Sequence, residues 1–253
     1  MTEQTVIRVG VVGASGRMGS QTCQAVDDAE GLELVARIDR RDGLDRLTDS
    51  GTDVVVDFTR PDVVMDNLRW CVEHDVHAVV GTSGFDDARL DQVRDWLRDA
   101  PAVGVIVVPN FSIGAVLMTR FAAEAARFFE SAEIVELHHP DKADAPSGTA
   151  RRTAEVVAAA RSAADVPPMP DATTSALPGA RGADVEGVPV HSVRMRGLLA
   201  HQEVLLGGRG ETLTIRHDSL HRESFMPGVV AAIRAVPDQP GLTVGLDRVL
   251  GLT

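Results

Sequence analysis

The chain has 253 residues, 44% of them hydrophobic and 25% charged, which is the composition of an ordinary globular protein with room for two modest domains. The formal net charge of −12 argues against binding to a nucleic-acid backbone, and polar residues interrupt every apolar run before it reaches membrane-spanning length. The first residues show no basic segment followed by an apolar stretch, so we expect no secretory signal and a cytoplasmic location.

The first 110 residues alternate short apolar runs with amphipathic stretches, the pattern of βαβ units. They predict an α/β fold with a Rossmann-like doubly wound parallel sheet, and Pro61 is placed to open the second helix. Cys23 and Cys71 fall in predicted helices, where we expect buried thiols rather than a disulfide. The predicted strands are residues 7–12, 32–39, 54–58, 78–81 and 103–109, and the predicted helices are residues 18–28, 62–75 and 86–98.

After Asn110 the pattern predicts a second, α+β domain with a mixed or antiparallel sheet. A helix is expected at 113–129, a strand at 132–138 and a helix at 147–163. Residues 165–187, rich in Pro, Gly and Ala, predict a mobile or functional loop. The closely spaced strand-like runs at 188–195, 200–206 and 211–217 favour antiparallel pairing. A final helix at 224–235 and an apolar run at 242–250 fit either domain.

A glycine-rich turn joins the first strand to the first helix. It reads Gly13-Ala14-Ser15-Gly16-Arg17-Met18-Gly19, and its glycines let backbone N–H groups approach a pyrophosphate at a helix N-terminus. The second strand ends in Asp39, where an acidic residue would bind an adenosine ribose. A plain βα turn of the same composition is the alternative. Asp39 favours a free ribose diol, whereas Arg17, Arg40 and Arg41 suit a 2′-phosphate, so NADH and NADPH both stay open as cofactors.

Two further turns follow predicted strands and therefore lie at the carboxyl edge of the sheet, where ligands bind in open α/β folds. They are Gly81-Thr82-Ser83-Gly84 and Val108-Pro109-Asn110-Phe111. Spacing alone does not separate cofactor contacts from ordinary strand-ending turns at these positions.

The densest cluster of chemistry is His138-His139-Pro140-Asp141-Lys142. Lys142 is the single lysine among 25 Lys and Arg residues, and lysine, unlike arginine, gives up a proton at a useful pH. One histidine can donate a proton near neutral pH while the other binds a substrate. Solvated surface histidines are the alternative. Asp144 or Ser147 is a suitable N-cap for the next helix, whose first N–H groups can receive a carboxylate.

These motifs closely resemble those of the 4-hydroxy-tetrahydrodipicolinate reductases, also called dihydrodipicolinate reductases, of bacterial diaminopimelate and lysine synthesis. The resemblance covers nearly the whole chain, and its most specific part is the run of residues 136–150. The stretch between Asp39 and Asp53 is shorter than in longer members, which leaves the coenzyme preference open. The remaining motifs are residues 13–19, Asp57-Phe58-Thr59, residues 81–84 and Asn110-Phe111-Ser112.

The resemblance implies hydride transfer from NADH or NADPH to a cyclic, unsaturated dicarboxylate, giving tetrahydrodipicolinate. It implies that residues 1–111, joined by 222–253, bind the dinucleotide, and that residues 112–221 bind substrate and assemble a homotetramer. Residues 194–203 also resemble the family, at the interface or the pocket. The implied roles are proton transfer for His138, a second acid and carboxylate partner for Lys142, substrate contacts for His139, Gly148 and Thr149, and cofactor contacts for residues 13–19, Asp39, Gly81, Thr82, Ser83, Val108, Pro109, Asn110 and Phe111.

Two other functions compete with this interpretation. A Schiff-base lyase would use Lys142 as its nucleophile but leaves the glycine turn unexplained. A non-catalytic nicotinamide-binding sensor would leave the His-His-x-x-Lys run without a role. We expect no metal site, because His217 and His221 are four residues apart but no third ligand can be named.

Overall fold

The computed structural model describes residues 6–252, which form two units. The first unit contains residues 6–113 and 225–252, and the second contains residues 114–224. The chain therefore passes from one unit to the other after Ile113 and again after Ser224.

The first unit is built on a six-stranded sheet in which all neighbours pair in parallel. Its strands are β1 (Ile7–Val12), β2 (Leu32–Ile38), β3 (Val54–Asp57), β4 (His77–Val80), β5 (Gly104–Val107) and β11 (Gly241–Val244). They lie in the order β2-β1-β3-β4-β5-β11, so the Rossmann-like parallel sheet predicted from the sequence is confirmed. β11 pairs with β5, which places residues 242–244 of the last apolar run in this sheet.

The order of the strands reverses at β1. After β2 the chain returns past β1 to form β3 on its other side, so β1 and β3 flank a topological switch point. Every residue of β3 and β5 is buried, which explains why these strands read as continuous valine-rich runs rather than alternating ones. The carboxyl ends of β1 and β3 therefore meet where open α/β sheets bind ligands.

The helices of the first unit are α1 (Arg17–Asp27), α2 (Asp45–Asp49), α3 (Val64–Glu73), α4 (Asp87–Leu97) and α7 (Met226–Ala235). The short α2 was not predicted. Pro61 does not open α3, which begins three residues later, after Val63. Asp86 caps α4 by accepting a hydrogen bond from the backbone N–H of Arg89. Among residues 6–252 no helix has the length and apolar character needed to cross a membrane.

The second unit carries a five-stranded mixed sheet and the helices α5 (Ile113–Ala126, from its second residue) and α6 (Gly148–Ala163). Its strands are β6 (Ser131–His138), β7 (Ala183–Val185), β8 (Val188–Arg194), β9 (Ala200–Gly208) and β10 (Glu211–Ser219), in the order β10-β9-β6-β8-β7. Small residues on the helices, such as Ala122 and Ala154, pack with Ile134, Val190 and Val204 of the sheet. Because side chains alternate along a strand, residues 132, 134, 136 and 138 of β6 all start on this covered face.

The expectation that the three closely spaced runs pair antiparallel, rather than through another βαβ unit, was wrong for β8. β9 and β10 are antiparallel, but β8 lies on the other side of β6 and pairs with it in parallel. The reason is that α6 packs across the sheet and returns the chain in the direction of β6, as in a βαβ unit. Part of the predicted loop at 165–187 also forms β7, which pairs antiparallel with β8.

Candidate active site

The glycine turn of the first unit has no room for a Cβ at two of its positions. Gly13 has a φ of +83°, and a Cβ there would lie 2.6 Å from the carbonyl oxygen of Phe58. A Cβ on Gly19 would lie 2.0 Å from the carbonyl oxygen of Gly13, so α1 packs directly against the turn. The backbone N–H groups of Gly13 and Ala14 both donate to the carbonyl of Ile38. Glycine is therefore required both for the bend and for the close approach of the helix.

The start of α1 suits a phosphate group. Its N-cap, Gly16, offers no side-chain hydrogen bond, and its first turn contains no acidic residue. Ser15, Gly16 and Arg17 are exposed, whereas Met18 is half-buried and Ala14 is buried. An accessible, uncapped helix N-terminus with an arginine in its first turn favours an anion. These residues fit the pyrophosphate of a dinucleotide.

Asp39 lies beside the turn, as a ribose-binding residue requires. Its Oδ1 accepts hydrogen bonds from the backbone N–H of Ser15 at 3.0 Å and from the Ser15 hydroxyl at 2.8 Å. The backbone N–H of Asp39 donates to Asp42 at 2.9 Å. Arg40 follows it and is exposed. Hydrogen bonds thus connect the end of β2 directly to the glycine turn.

The two later turns lie at the same edge of the sheet. A Cβ on Gly81 would come within 2.1 Å of the Phe58 ring and 2.7 Å of the Phe111 ring. These two rings pack at a centroid distance of 5.5 Å. The backbone N–H of Val108 donates to the carbonyl of Val80, which ties the turn after β5 to the end of β4. Ser83 and Pro109 are exposed, and Asn110 is half-buried.

A buried carboxylate, which sequence reasoning did not assign to the site, organises this edge. Asp57 ends β3 and is 1% exposed. Its Oδ1 accepts from the backbone N–H and hydroxyl of Thr59 and from the hydroxyl of Thr82, at 2.6–2.9 Å. Its Oδ2 accepts from the Asn67 amide at 2.7 Å. An aspartate that ends an otherwise apolar strand was the signal available in the sequence.

The second unit places His138 against a fully buried carboxylate. Glu136, 0% exposed, lies two residues before His138 on the same face of β6. Its Oε2 is 2.5 Å from Nδ1 of His138. Burial by itself raises the pKa of Glu136, but hydrogen bonds from His138, Arg194 and Ser192 lower it to about 2. Glu136 is therefore ionised throughout the neutral range and orients the imidazole.

Arg194, at the end of β8, forms the other half of this arrangement. Its two terminal nitrogens donate to the two oxygens of Glu136, each at 2.8 Å. One of them also donates to the backbone carbonyl of Asp144 at 2.7 Å. The parallel register of β6 and β8 places His138 opposite Arg194, which explains how Arg194 reaches a carboxylate 58 residues earlier in the chain. The fork of a guanidinium suits this two-point contact.

Lys142 and the start of α6 are linked through Asp144. The Lys142 ammonium donates to Asp144 Oδ1 at 2.6 Å, and the backbone N–H of Gly148 donates to Asp144 Oδ2 at 3.2 Å. Ser147 is the N-cap, and its hydroxyl oxygen accepts from the N–H of Ala150. Both residues considered for capping therefore contribute. Burial raises the pKa of Asp144, but the hydrogen bond from Lys142, the backbone hydrogen bonds and the Lys142 charge together outweigh burial and lower it.

His139 and Thr149 are half-buried and flank these groups. β6 ends at His138, so His139 belongs to the following turn, and its carbonyl accepts a hydrogen bond from the backbone N–H of Lys142 at 3.3 Å. The carbonyl of Thr149 accepts from the Thr153 hydroxyl inside α6. Residues 138–149 thus bring a histidine, a lysine and the N-terminus of a helix into one short segment.

Comparison with known proteins identifies what this combination is. Residues 7–111 match the model described as "Dihydrodipicolinate reductase, N-terminus", and residues 114–250 match "Dihydrodipicolinate reductase, C-terminus". The chain belongs to the dihydrodipicolinate reductase family. The resemblance expected from the motifs is therefore confirmed.

Individual relatives of this reductase-family chain agree. It is 64% identical to the 4-hydroxy-tetrahydrodipicolinate reductase of Nocardia farcinica over 97% of this chain and 99% of the relative. It is also 64% identical to that of Cutibacterium acnes, over 98% and 100% of the two chains. A solved structure of dipicolinate-bound dihydrodipicolinate reductase from Paenisporosarcina sp. TG-14 is 39% identical, with a TM-score of 0.85 over 96% of this chain and 99% of that one. An engineered D-amino acid dehydrogenase bound to NADP+, at 14% identity and a TM-score of 0.56, shares the fold.

Proposed function

We propose that the chain reduces 4-hydroxy-tetrahydrodipicolinate to tetrahydrodipicolinate with NADH or NADPH, in diaminopimelate and lysine synthesis. The observation that carries the proposal is the imidazole of His138, held by a buried, ionised carboxylate within the most specific motif of the reductase family. The relatives at 57–64% identity are named for this reduction.

His138 is the proton donor in this proposal. With Nδ1 engaged by Glu136, the ring offers Nε2 to a substrate, and a carboxylate partner stabilises the imidazolium that must be present before a proton is given up. When bound, the nicotinamide would supply the hydride and His138 the proton, while the 4-hydroxyl of the substrate leaves as water to give tetrahydrodipicolinate.

Lys142, His139, Gly148 and Thr149 are proposed to hold the dicarboxylate. An ammonium and the N-terminal N–H groups of a helix are both suited to carboxylates. In the structure the Lys142 ammonium and the Gly148 N–H share the carboxylate of Asp144. We propose that a substrate carboxylate takes over these donors, with Lys142 also available as a second acid.

The first domain, residues 1–111 joined by 222–253, is proposed to hold the dinucleotide. Residues 13–19 would surround the pyrophosphate and Asp39 the adenosine ribose, with Arg40 next to it. The turns containing Gly81, Thr82 and Ser83 and containing Val108, Pro109, Asn110 and Phe111 would hold the remainder. Asp39 and the neighbouring arginines Arg17, Arg40 and Arg41 together suit either coenzyme, so we propose that both NADH and NADPH are used.

The second domain, residues 112–221, is proposed to assemble the protein as a cytoplasmic homotetramer. On β9, Val204 and Leu206 are buried under the helices, whereas Leu205 between them is 38% exposed on the opposite face. An apolar side chain on that face of the sheet is suited to cover by another copy. Light scattering coupled to size exclusion would then give four times 26.9 kDa, whereas a species of 26.9 kDa would refute the assembly.

The test of the activity is the loss of absorbance at about 340 nm when NADH or NADPH is mixed with the protein and a freshly made condensation product of aspartate semialdehyde and pyruvate. Oxidation of either coenzyme is expected, and the two rates rank the coenzymes. Cofactor binding without oxidation would contradict the proposal and favour a sensor. A Schiff-base lyase is not favoured by the relatives, and an ammonium paired with Asp144 is not a free nucleophile. A covalent adduct trapped by borohydride would nevertheless identify one.

A further inference from the structure

Glu136 is the centre of a network that connects the end of β6 with β8 and α6. Its oxygens accept from Nδ1 of His138 at 2.5 Å, from both terminal nitrogens of Arg194 at 2.8 Å, and from the backbone N–H of Ser147 at 3.1 Å. These partners belong to the end of β6, the end of β8 and the N-cap of α6. Glu136 is 0% exposed, and its neighbours on the covered face of β6 are Ala132 and Ile134. A charged group in such a place is costly unless it is paired and hydrogen-bonded.

We propose that Glu136 and Arg194 are a pair of positioning residues for the proton transfer by His138, an inference that rests on the proposed function. Glu136 fixes the ring in the tautomer with a proton on Nδ1 and stabilises its protonated form. Arg194 pairs with Glu136 and, by offsetting its charge, sets how strongly the proton is held.

The geometry gives each residue a separate role. A carboxylate accepting from Nδ1 leaves Nε2 as the reactive nitrogen and prevents rotation of the ring. Without a counter-charge, a buried carboxylate would bind the imidazolium so strongly that proton release would become unfavourable. The two parallel hydrogen bonds from Arg194 supply that counter-charge.

Arg194 also connects His138 with the other proposed acid. Its donation to the carbonyl of Asp144 holds the segment whose side chain pairs with Lys142 and with the N-terminus of α6. The charged or titratable groups next to His138 are Glu136 on its own strand, Arg194 on β8, and His139, Lys142 and Asp144 in the following segment. On β9, His201 lies opposite Leu137, so its side chain, which pairs with Asp218, starts on the other face of the sheet.

The test compares Glu136→Gln with Arg194→Met in the full-length protein. Glu136→Gln removes the negative charge next to the ring, so kcat should fall by about 10²-fold, and the pH at which activity declines on the alkaline side should move down by about one unit. Arg194→Met leaves Glu136 uncompensated, so the same limb should move up by about one unit. If Glu136 and Arg194 were merely structural, both variants would lose activity, but their alkaline limbs would not shift in opposite directions. KM for the coenzyme should stay unchanged in both variants.

The matched control is Glu133→Gln. Glu133 lies on the same strand, with its side chain on the opposite face, and it also pairs with an arginine and a histidine, Arg181 and His191. Its variant should keep the alkaline limb of the wild type. A shift equal to that of Glu136→Gln would show that the effect comes from charge at a distance and would overturn the proposal.

Nuclear magnetic resonance of His138 separates this proposal from the proposed function. In the wild type, the ring should show a strongly deshielded proton on Nδ1, a reading that does not depend on turnover or on whether a variant folds. Absence of this deshielded proton would refute the proposed positioning role of Glu136 and Arg194. If the wild type is inert towards the condensation product but the proton is present, the proposed function fails, while the positioning of the His138 ring by Glu136 stands. An active wild type with unshifted limbs in both variants refutes the pair alone.

Discussion

Replacing Gly19 with Ala tests whether close packing of α1 against the glycine turn is what makes the first unit a dinucleotide site. A Cβ at this position would lie 2.0 Å from the carbonyl oxygen of Gly13 and 2.9 Å from the Cα of Ala14. Ordinary contact begins near 3.4 Å, so helix and turn must separate by about 1.4 Å, and the atoms in the way belong to the backbone.

The expected cost follows from two opposing effects. Overpacking of this kind costs about 1–3 kcal/mol, and the rigid backbone favours the upper end. Alanine gains about 1 kcal/mol over glycine inside a helix. The net loss of about 2 kcal/mol should lower Tm by about 4–8 °C. Displaced N–H groups would also lose at least one hydrogen bond to the pyrophosphate, and this weakens coenzyme binding by about tenfold or more.

Differential scanning calorimetry and isothermal titration with NADPH measure these two effects. Gly43→Ala is the matched control, because it makes the same change in the same unit at a position where a Cβ meets nothing within 4 Å. The control should bind and unfold like the wild type. If Gly19→Ala also did so, the reasoning from close packing would be wrong.

Three further outcomes are expected. Lys142→Ala should lower kcat by about 10²–10⁴-fold and leave coenzyme binding unchanged, which steady-state kinetics would measure. The control is Arg152→Ala, which removes an exposed cation and should leave kcat and coenzyme binding unchanged. Because the folded-state pKa of Glu136 lies at about 2, below its ordinary 4.5, this residue should contribute about 3 kcal/mol that is fully present above pH 4.5 and lost as pH falls towards 2. Urea unfolding between pH 4.5 and pH 2 should show that the free energy of unfolding falls less steeply with decreasing pH in Glu136→Gln than in the wild type. An equally steep fall in the two proteins would contradict this contribution of Glu136. Arg161→Met should lower the free energy of unfolding by about 2–4 kcal/mol without changing coenzyme affinity, because this side chain, in a residue only 6% exposed, donates to four backbone carbonyls. Urea unfolding within 0.5 kcal/mol of the wild type, about the size of an ordinary surface effect, would refute it.

The elements of the first unit were predictable because their causes are local. Buried parallel strands appear as short valine-rich runs, and amphipathic helices separate them, so up to residue 113 the boundaries of the predicted elements fall within about two residues of the structure, although the short α2 was not predicted. The errors occurred where the cause was not local. Pro61 has the preference of a first helical residue, but α3 begins only at Val64.

The position of β8 shows the same limit more clearly. Short spacing between strands favours antiparallel neighbours, but the pairing of β8 depends on where α6 packs, and that is a property of the whole second unit. No pattern within residues 188–195 distinguishes the two arrangements.

The sequence by itself determined the family, the glycine turn and the run that contains His138 and Lys142, because each is a contiguous motif whose chemistry depends on residue type and spacing. Only the tertiary structure decided how Glu136 and Asp57 act. Glu136 lies in an apolar strand, and its meaning depends on Arg194, brought opposite His138 by the parallel register of β6 and β8. Asp57 likewise depends on Thr82, 25 residues away on the neighbouring strand's turn. Partners so distant in the chain meet only when the sheets form, so no local pattern specifies them.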